Sequence, residues 1–179
     1  MVSSTSSRES TLASLCCASP CTSHSPRWVA RYCLVGHSGG SAEVPLVEFG
    51  MPPATPAERL DVIHNMYGHS RSCPSGDNSM EAARLSVADV VREEGDDYFV
   101  FLLSDANLGR YNVTPEELGA VLRADSRVNA YAIFVAEQNA AEWLAKELPF
   151  GHGFVCLDTS KLPTTFKDIL AHASNTAEQ

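Results

Sequence analysis

Apolar residues fall in short blocks along most of the chain, and their spacing alternates between a strand-like and a helix-like period. Tyr32-Cys33-Leu34-Val35 is a short apolar run that ends in a Gly/Ser loop, as a strand does. Residues 44–49 form a second strand candidate, and Pro45, which cannot donate a ladder hydrogen bond, assigns it to a sheet edge. Pro52-Pro53 breaks the chain. Thr55-Pro56 then opens a helix in the cap-plus-proline manner, with Leu60, Ile63 and Tyr67 at helical spacing as its expected inward face. A polar loop at residues 73–79 leads into a helix over residues 80–93. Residues 98–103, Tyr-Phe-Val-Phe-Leu-Leu, are continuously apolar, which suits a central parallel strand buried on both faces. Thr114-Pro115-Glu116-Glu117 starts another helix. Strands at 130–135 and 153–157 alternate with helices at 140–148 and 163–173. This alternation predicts an α/β fold, a doubly wound and largely parallel sheet.

Residues 1–31 break the pattern. They contain nine serines, three arginines and one acidic residue, Glu9, with no apolar period, and are expected to be a disordered Ser/Cys-rich leader. Their composition is that of a transit peptide, and equally that of arbitrary sequence from a misplaced start codon or a read-through intron. The expected organisation is therefore leader 1–31, domain 32–173 and disordered tail 174–179.

The overall composition narrows the function classes. At 179 residues and 44% hydrophobic, the chain is long enough to bury a core. Its net charge of −9 repels phosphates and argues against nucleic-acid binding. No run reaches the roughly 20 apolar residues of a membrane-spanning helix. The six cysteines are unevenly scattered, which reads as reduced thiols and not as a disulfide framework. Cys16, Cys17, Cys21 and His24 match no usual zinc spacing, and His37, His64, His69 and His152 form no metal motif. No P-loop sequence occurs, so no ATP site is expected in this chain.

In a doubly wound sheet, function gathers at the C-terminal ends of the strands. Ser104-Asp105-Ala106-Asn107 follows the most apolar run. A carboxylate there is costly to bury without a partner, so Asp105 either closes a loop hydrogen bond or helps hold a hard cation. Asp77-Asn78-Ser79 precedes a helix, where each residue is a good N-cap; with Asp105 they would also form the oxygen-rich surroundings that Mg²⁺ or Ca²⁺ favours. Gly36-His37-Ser38-Gly39-Gly40 fits the G-x-S-x-G pattern of a hydrolase elbow, with Asp158 and His172 completing the order Ser, Asp, His. The elbow needs a helix directly after the serine, and the sequence here runs on into the edge strand.

Three stretches carry a resemblance: Gly36-His37-Ser38-Gly39, residues 75–82 (Ser-Gly-Asp-Asn-Ser-Met-Glu-Ala) and residues 98–108, with its Leu-Ser-Asp-Ala-Asn run. Residues 128–134, Leu148-Pro149 and residues 156–159 continue it. Together they resemble the von Willebrand factor A domain of large mitochondrial AAA-type ATPases of the dynein and midasin group, over roughly residues 31–173. The resemblance implies a protein-interaction module and not an enzyme, in which an acidic residue of the partner completes a Mg²⁺ at a metal-ion-dependent adhesion site, close to an ATPase ring. It implies a mitochondrial location, and ATP binding elsewhere in such proteins. The later aspartate of the site corresponds to Asp105, and the middle loop to Asp77 and Ser79. The first loop, Asp-x-Ser-x-Ser, has no counterpart, so the resemblance implies a partial domain that lacks its first central strand, an incomplete site and weak Mg²⁺ binding. A serine hydrolase using Ser38 and a nonfunctional gene fragment are the alternatives.

Overall fold

A computed structural model describes residues 12–19, 31–72, 78–135 and 138–176. Among these residues six strands form one sheet: β1 (Leu12–Ser19), β2 (Arg31–Ser38), β3 (Ser41–Val47), β4 (Asp97–Ser104), β5 (Val128–Phe134) and β6 (Gly153–Val155), in the order β3-β2-β1-β4-β5-β6. The helices are α1 (Pro56–Ser72), α2 (Ser79–Val90), α3 (Pro115–Leu122), α4 (Gln138–Glu147) and α5 (Leu162–Thr176). The mixed α/β class agrees with the sequence reading. The sheet is less parallel than expected: β4, β5 and β6 run parallel, but β1 is antiparallel to both its neighbours and β2 is antiparallel to β3.

The main correction concerns the slot beside β4. The sequence reading left it empty and assigned residues 1–31 to disorder, yet Leu12–Ser19 lies there as a strand. Six of its eight residues are Leu, Ala or Cys, and none is charged. Cysteine packs as a small apolar residue, so this is a strand-length apolar run that the surrounding serines disguise. Residues 1–11 and 20–30 of the expected leader lie outside the described residues. At the other end, α5 carries helix through Thr176, three residues into the expected tail.

The sheet's two faces bury separate cores. Val100 and Leu102 of β4 and Ala130, Ala132 and Phe134 of β5 point to one side, under Ala83, Val87 and Val90 of α2, Leu118 and Leu122 of α3, and Leu144 of α4. Phe99 and Phe101 of β4 and Ile133 of β5 point to the other, where α5 lays down Leu162, Phe166, Ile169 and Leu170. The Phe101 and Phe166 rings meet edge to face, with centroids 4.8 Å apart. This division follows the period of two along β4, as its sequence predicts.

Local chemistry fixes the helix ends and close approaches. Thr114 caps α3 in a reciprocal box: its hydroxyl accepts from the Glu117 N–H at 3.2 Å, while the Glu117 carboxylate accepts from the Thr114 N–H at 3.0 Å. Gly153 lets α4 lie against β6, because a Cβ there would come within 2.9 Å of the Ala145 backbone. The expected inward face of α1 is not inward. Leu60, Ile63 and Tyr67 are 50–62% exposed, whereas Val62, Met66 and His69 are partly covered. No helix among the described residues is long and apolar enough to cross a membrane.

Candidate functional site at the C-terminal edge of the sheet

Strand register decides which loops meet. β2 and β4 are each antiparallel to β1, so they run in the same direction. Leu12 pairs with His37 near the end of β2, and Ser14 with Leu102 near the end of β4. The ends of β2 and β4 therefore share one edge of the sheet, with the start of β1 between them. The loop before α2 joins the same edge: the Asn78 side-chain amide donates to the Ser38 carbonyl at 2.6 Å. Asn78 occupies the N-cap position of α2, but its side chain makes no capping bond and is used for this bridge instead. Ser79, the first residue of α2, is almost fully buried.

The turn after β4 is tightly specified. The Ser104 hydroxyl is buried and accepts from the Ala106 N–H at 3.2 Å. One Asp105 carboxylate oxygen, Oδ1, accepts from the Asn107 N–H at 3.1 Å. Between them Ala106 takes a left-handed conformation, φ 63°, which is unfavourable for a residue with a Cβ and is held by these two side-chain bonds. Asp105 is partly exposed at the end of a buried strand. This loop bond uses Oδ1, and a carboxylate oxygen has lone pairs for further partners.

Of the three predicted metal ligands, Asp105 lies in the turn after β4 and Ser79 at the start of α2, both at this edge, and Asp77 lies outside the described residues. Among the described residues no three His, Cys, Asp or Glu side chains cluster closely enough to hold a metal ion. Among the described residues, the donors at this edge are the Asp105 carboxylate and serine hydroxyls. That suits Mg²⁺, which keeps several waters and takes one or two carboxylates; Ca²⁺, with its six to eight oxygens, would need far more. Asn78 is the participant that sequence reasoning missed as an actor. Its position was visible, but a cross-loop amide bond has no sequence signal.

The hydrolase constellation is not assembled. Gly39-Gly40 turns the chain straight from β2 into β3, so no helix follows Ser38, whose hydroxyl accepts the Gly40 N–H at 3.4 Å. Asp158 follows β6, four strand positions from β2, a separation of about 19 Å at about 4.8 Å per strand. Its carboxylate is engaged by the Ser160 hydroxyl and N–H, which hold it below the usual carboxylate range. His172 lines a depression with Val128, Asn129 and His152, at the start of β5 and thus at the opposite edge.

No family model matches the chain, and no solved structure matches it. Over 140 residues, 78% of its length, it is 38% identical to the von Willebrand factor A domain-containing protein 8 of Mus musculus, and it spans 7% of that protein. The chain is a relative of a short part of a von Willebrand factor A domain-containing protein 8.

Proposed function

We propose that this is a von Willebrand factor A-type interaction domain that presents the C-terminal edge of its sheet to a protein partner. The reading is supported by the convergence of the β2 end, the Asn78-Ser79 loop and the Ser104–Asn107 turn on one edge, tied by the Asn78 to Ser38 bond. The likeness to a short part of the mouse von Willebrand factor A domain-containing protein 8 supports the domain type. Asp105, Ser79 and Asp77 would hold a Mg²⁺ there, and an acidic side chain of the partner would complete its coordination. In a protein of the kind the resemblance implies, this edge would keep a client beside a mitochondrial ATPase ring.

The strand in the central slot bears on affinity. Because β1 runs against β4, it is the start of β1, and not its end, that faces this edge. The domain then works with the ligands of two loops, and Mg²⁺ affinity falls in the millimolar range, about 4 kcal/mol of binding free energy. Asp105→Asn is the discriminating variant, because its side-chain carbonyl can keep the bond to the Asn107 N–H while the negative charge is removed and one acceptor oxygen becomes an NH₂. In titration calorimetry the parent chain should bind Mg²⁺ weakly and Asp105→Asn should not. Equal binding by the two would show that Asp105 serves the turn alone and would sink the metal reading.

A further inference from the structure

A depression of about 1020 Å³ lies at the start of β5, on the edge of the sheet opposite the candidate site, with room for a small organic ligand. Its floor is aromatic. The Tyr131 ring lies 6.2 Å from the His152 ring and meets the Phe154 ring edge to face, with centroids 5.7 Å apart. Phe150 stands at the margin, fully exposed. A tight turn holds it there: the His152 N–H donates to the Pro149 carbonyl at 3.0 Å, and Gly151 takes φ 85°. Arg123 follows α3 and Lys146 lies in the last turn of α4, so both cations sit at helix C-termini, where the macrodipole favours them. That role leaves donors over. The Arg123 Nε donates to the Gly119 carbonyl at 3.1 Å, but among the described residues its terminal nitrogens have no acceptor and Lys146 has no acidic partner. The carboxylate in the lining, Asp125, is already bound by Arg127 at 2.6 Å. Burial pushes the Tyr131 phenol up, so it remains a hydroxyl donor.

We propose that this depression binds an amphipathic organic acid, its carboxylate held by Arg123 and Lys146 and its apolar body lying over the Tyr131, His152 and Phe154 rings against Phe150. A guanidinium and an ammonium make charge-assisted hydrogen bonds to a carboxylate, the stronger kind. The rings supply apolar area that leaves water when the ligand's body covers it. A single negative charge suits two cations in a chain of net charge −9, which would repel a polyphosphate or a nucleic acid. The site is independent of the metal reading, because Asp105 and Ser79 lie at the other edge of the sheet.

Isotope-labelled chain is titrated with hydrocinnamate, a phenyl ring on a short carboxylate, and with hydrocinnamamide, its neutral counterpart, and backbone N–H shifts are followed by NMR. With hydrocinnamate, the signals of Arg123, Lys146 and residues 150–154 should move together and saturate. Hydrocinnamamide should bind at least about tenfold more weakly. This comparison needs no variant to fold. Arg123→Gln combined with Lys146→Gln, both at exposed side chains, should weaken hydrocinnamate binding about tenfold and leave the rest of the spectrum in place. Asp105→Asn should leave the titration unchanged, which separates this outcome from that of the metal reading. Shifts that never saturate or that gather elsewhere, equal binding of the acid and its amide, a double variant that binds like the parent, or sensitivity to Asp105→Asn would each overturn the proposal.

Discussion

The sheet has two halves built from similar residues and treated very differently. In β4 and β5, most positions are buried, because α2, α3 and α4 cover one face and α5 the other. In β2 and β3, most positions are only partly covered, and burial is confined to the Gly36–Ser38 end and Val47. The helix that follows β3, α1, is largely exposed. The difference follows strand direction. Parallel neighbours need long crossovers, and the two here, α3 and α4, both cover one face, while α5, which follows β6, covers the other; antiparallel neighbours can be joined by a short turn that brings no cover with it. The turn at Gly39-Gly40 is such a connection.

Equivalent truncations in the two halves should therefore differ in cost. Phe101, fully buried and touching the rings of Tyr131 and Phe166, should lose roughly 3–5 kcal/mol on change to alanine. Leu34→Ala in half-buried β2 should cost less, about 1–2 kcal/mol, under the range for a sealed leucine. Chemical denaturation of both variants measures the gap, and equal losses would erase the distinction between the halves.

A smaller effect should come from the turn into β5. The Arg127 guanidinium, and then its N–H, bond the Asp125 carboxylate and lower its pKa from 3.8 to about 2. A carboxyl depressed in the folded state contributes stability above its unfolded value and loses it as pH falls through the folded one. Parent and Asp125→Asn melting temperatures should therefore differ modestly at pH 7 and converge between about pH 4 and pH 2. A gap that persisted at pH 2 would show that the carboxylate's charge is not the cause.

The smallest effect should be on α1. Ile63 is 59% exposed, so Ile63→Lys should change stability by no more than about 0.5 kcal/mol. A large loss would mean that the exposed stripe is a packing face, and the unsealed half would be better sealed than it looks.

The same contrast explains what was legible in the sequence. The β4 run announced itself by its length and apolarity, and its alternate residues went to the two cores as their spacing required. On α1 the apolar positions form two stripes, Leu60-Ile63-Tyr67 and Val62-Met66, and periodicity reports that a helix has apolar stripes without saying which one meets the sheet. The wrong stripe was expected inside. β1 escaped notice because four of its six apolar residues are alanine or cysteine and the run is set among serines. At the candidate site, Asp105 could be picked out because a carboxylate ends a buried strand. The amide of Asn78 reaching across to Ser38 depends on tertiary placement alone.

The hairpin order of β1, β2 and β3 also bears on how the chain acquires its fold during synthesis. Translation proceeds from the N-terminus and is slow compared with hairpin formation, which takes about 1–10 μs. The three strands of this meander are neighbours in sequence as well as in space, so their ladders close while the rest of the chain is still being made. β4 then arrives at an edge already laid down by β1, and the long-range pairing that would otherwise be the slowest step to organise becomes an addition to a standing template.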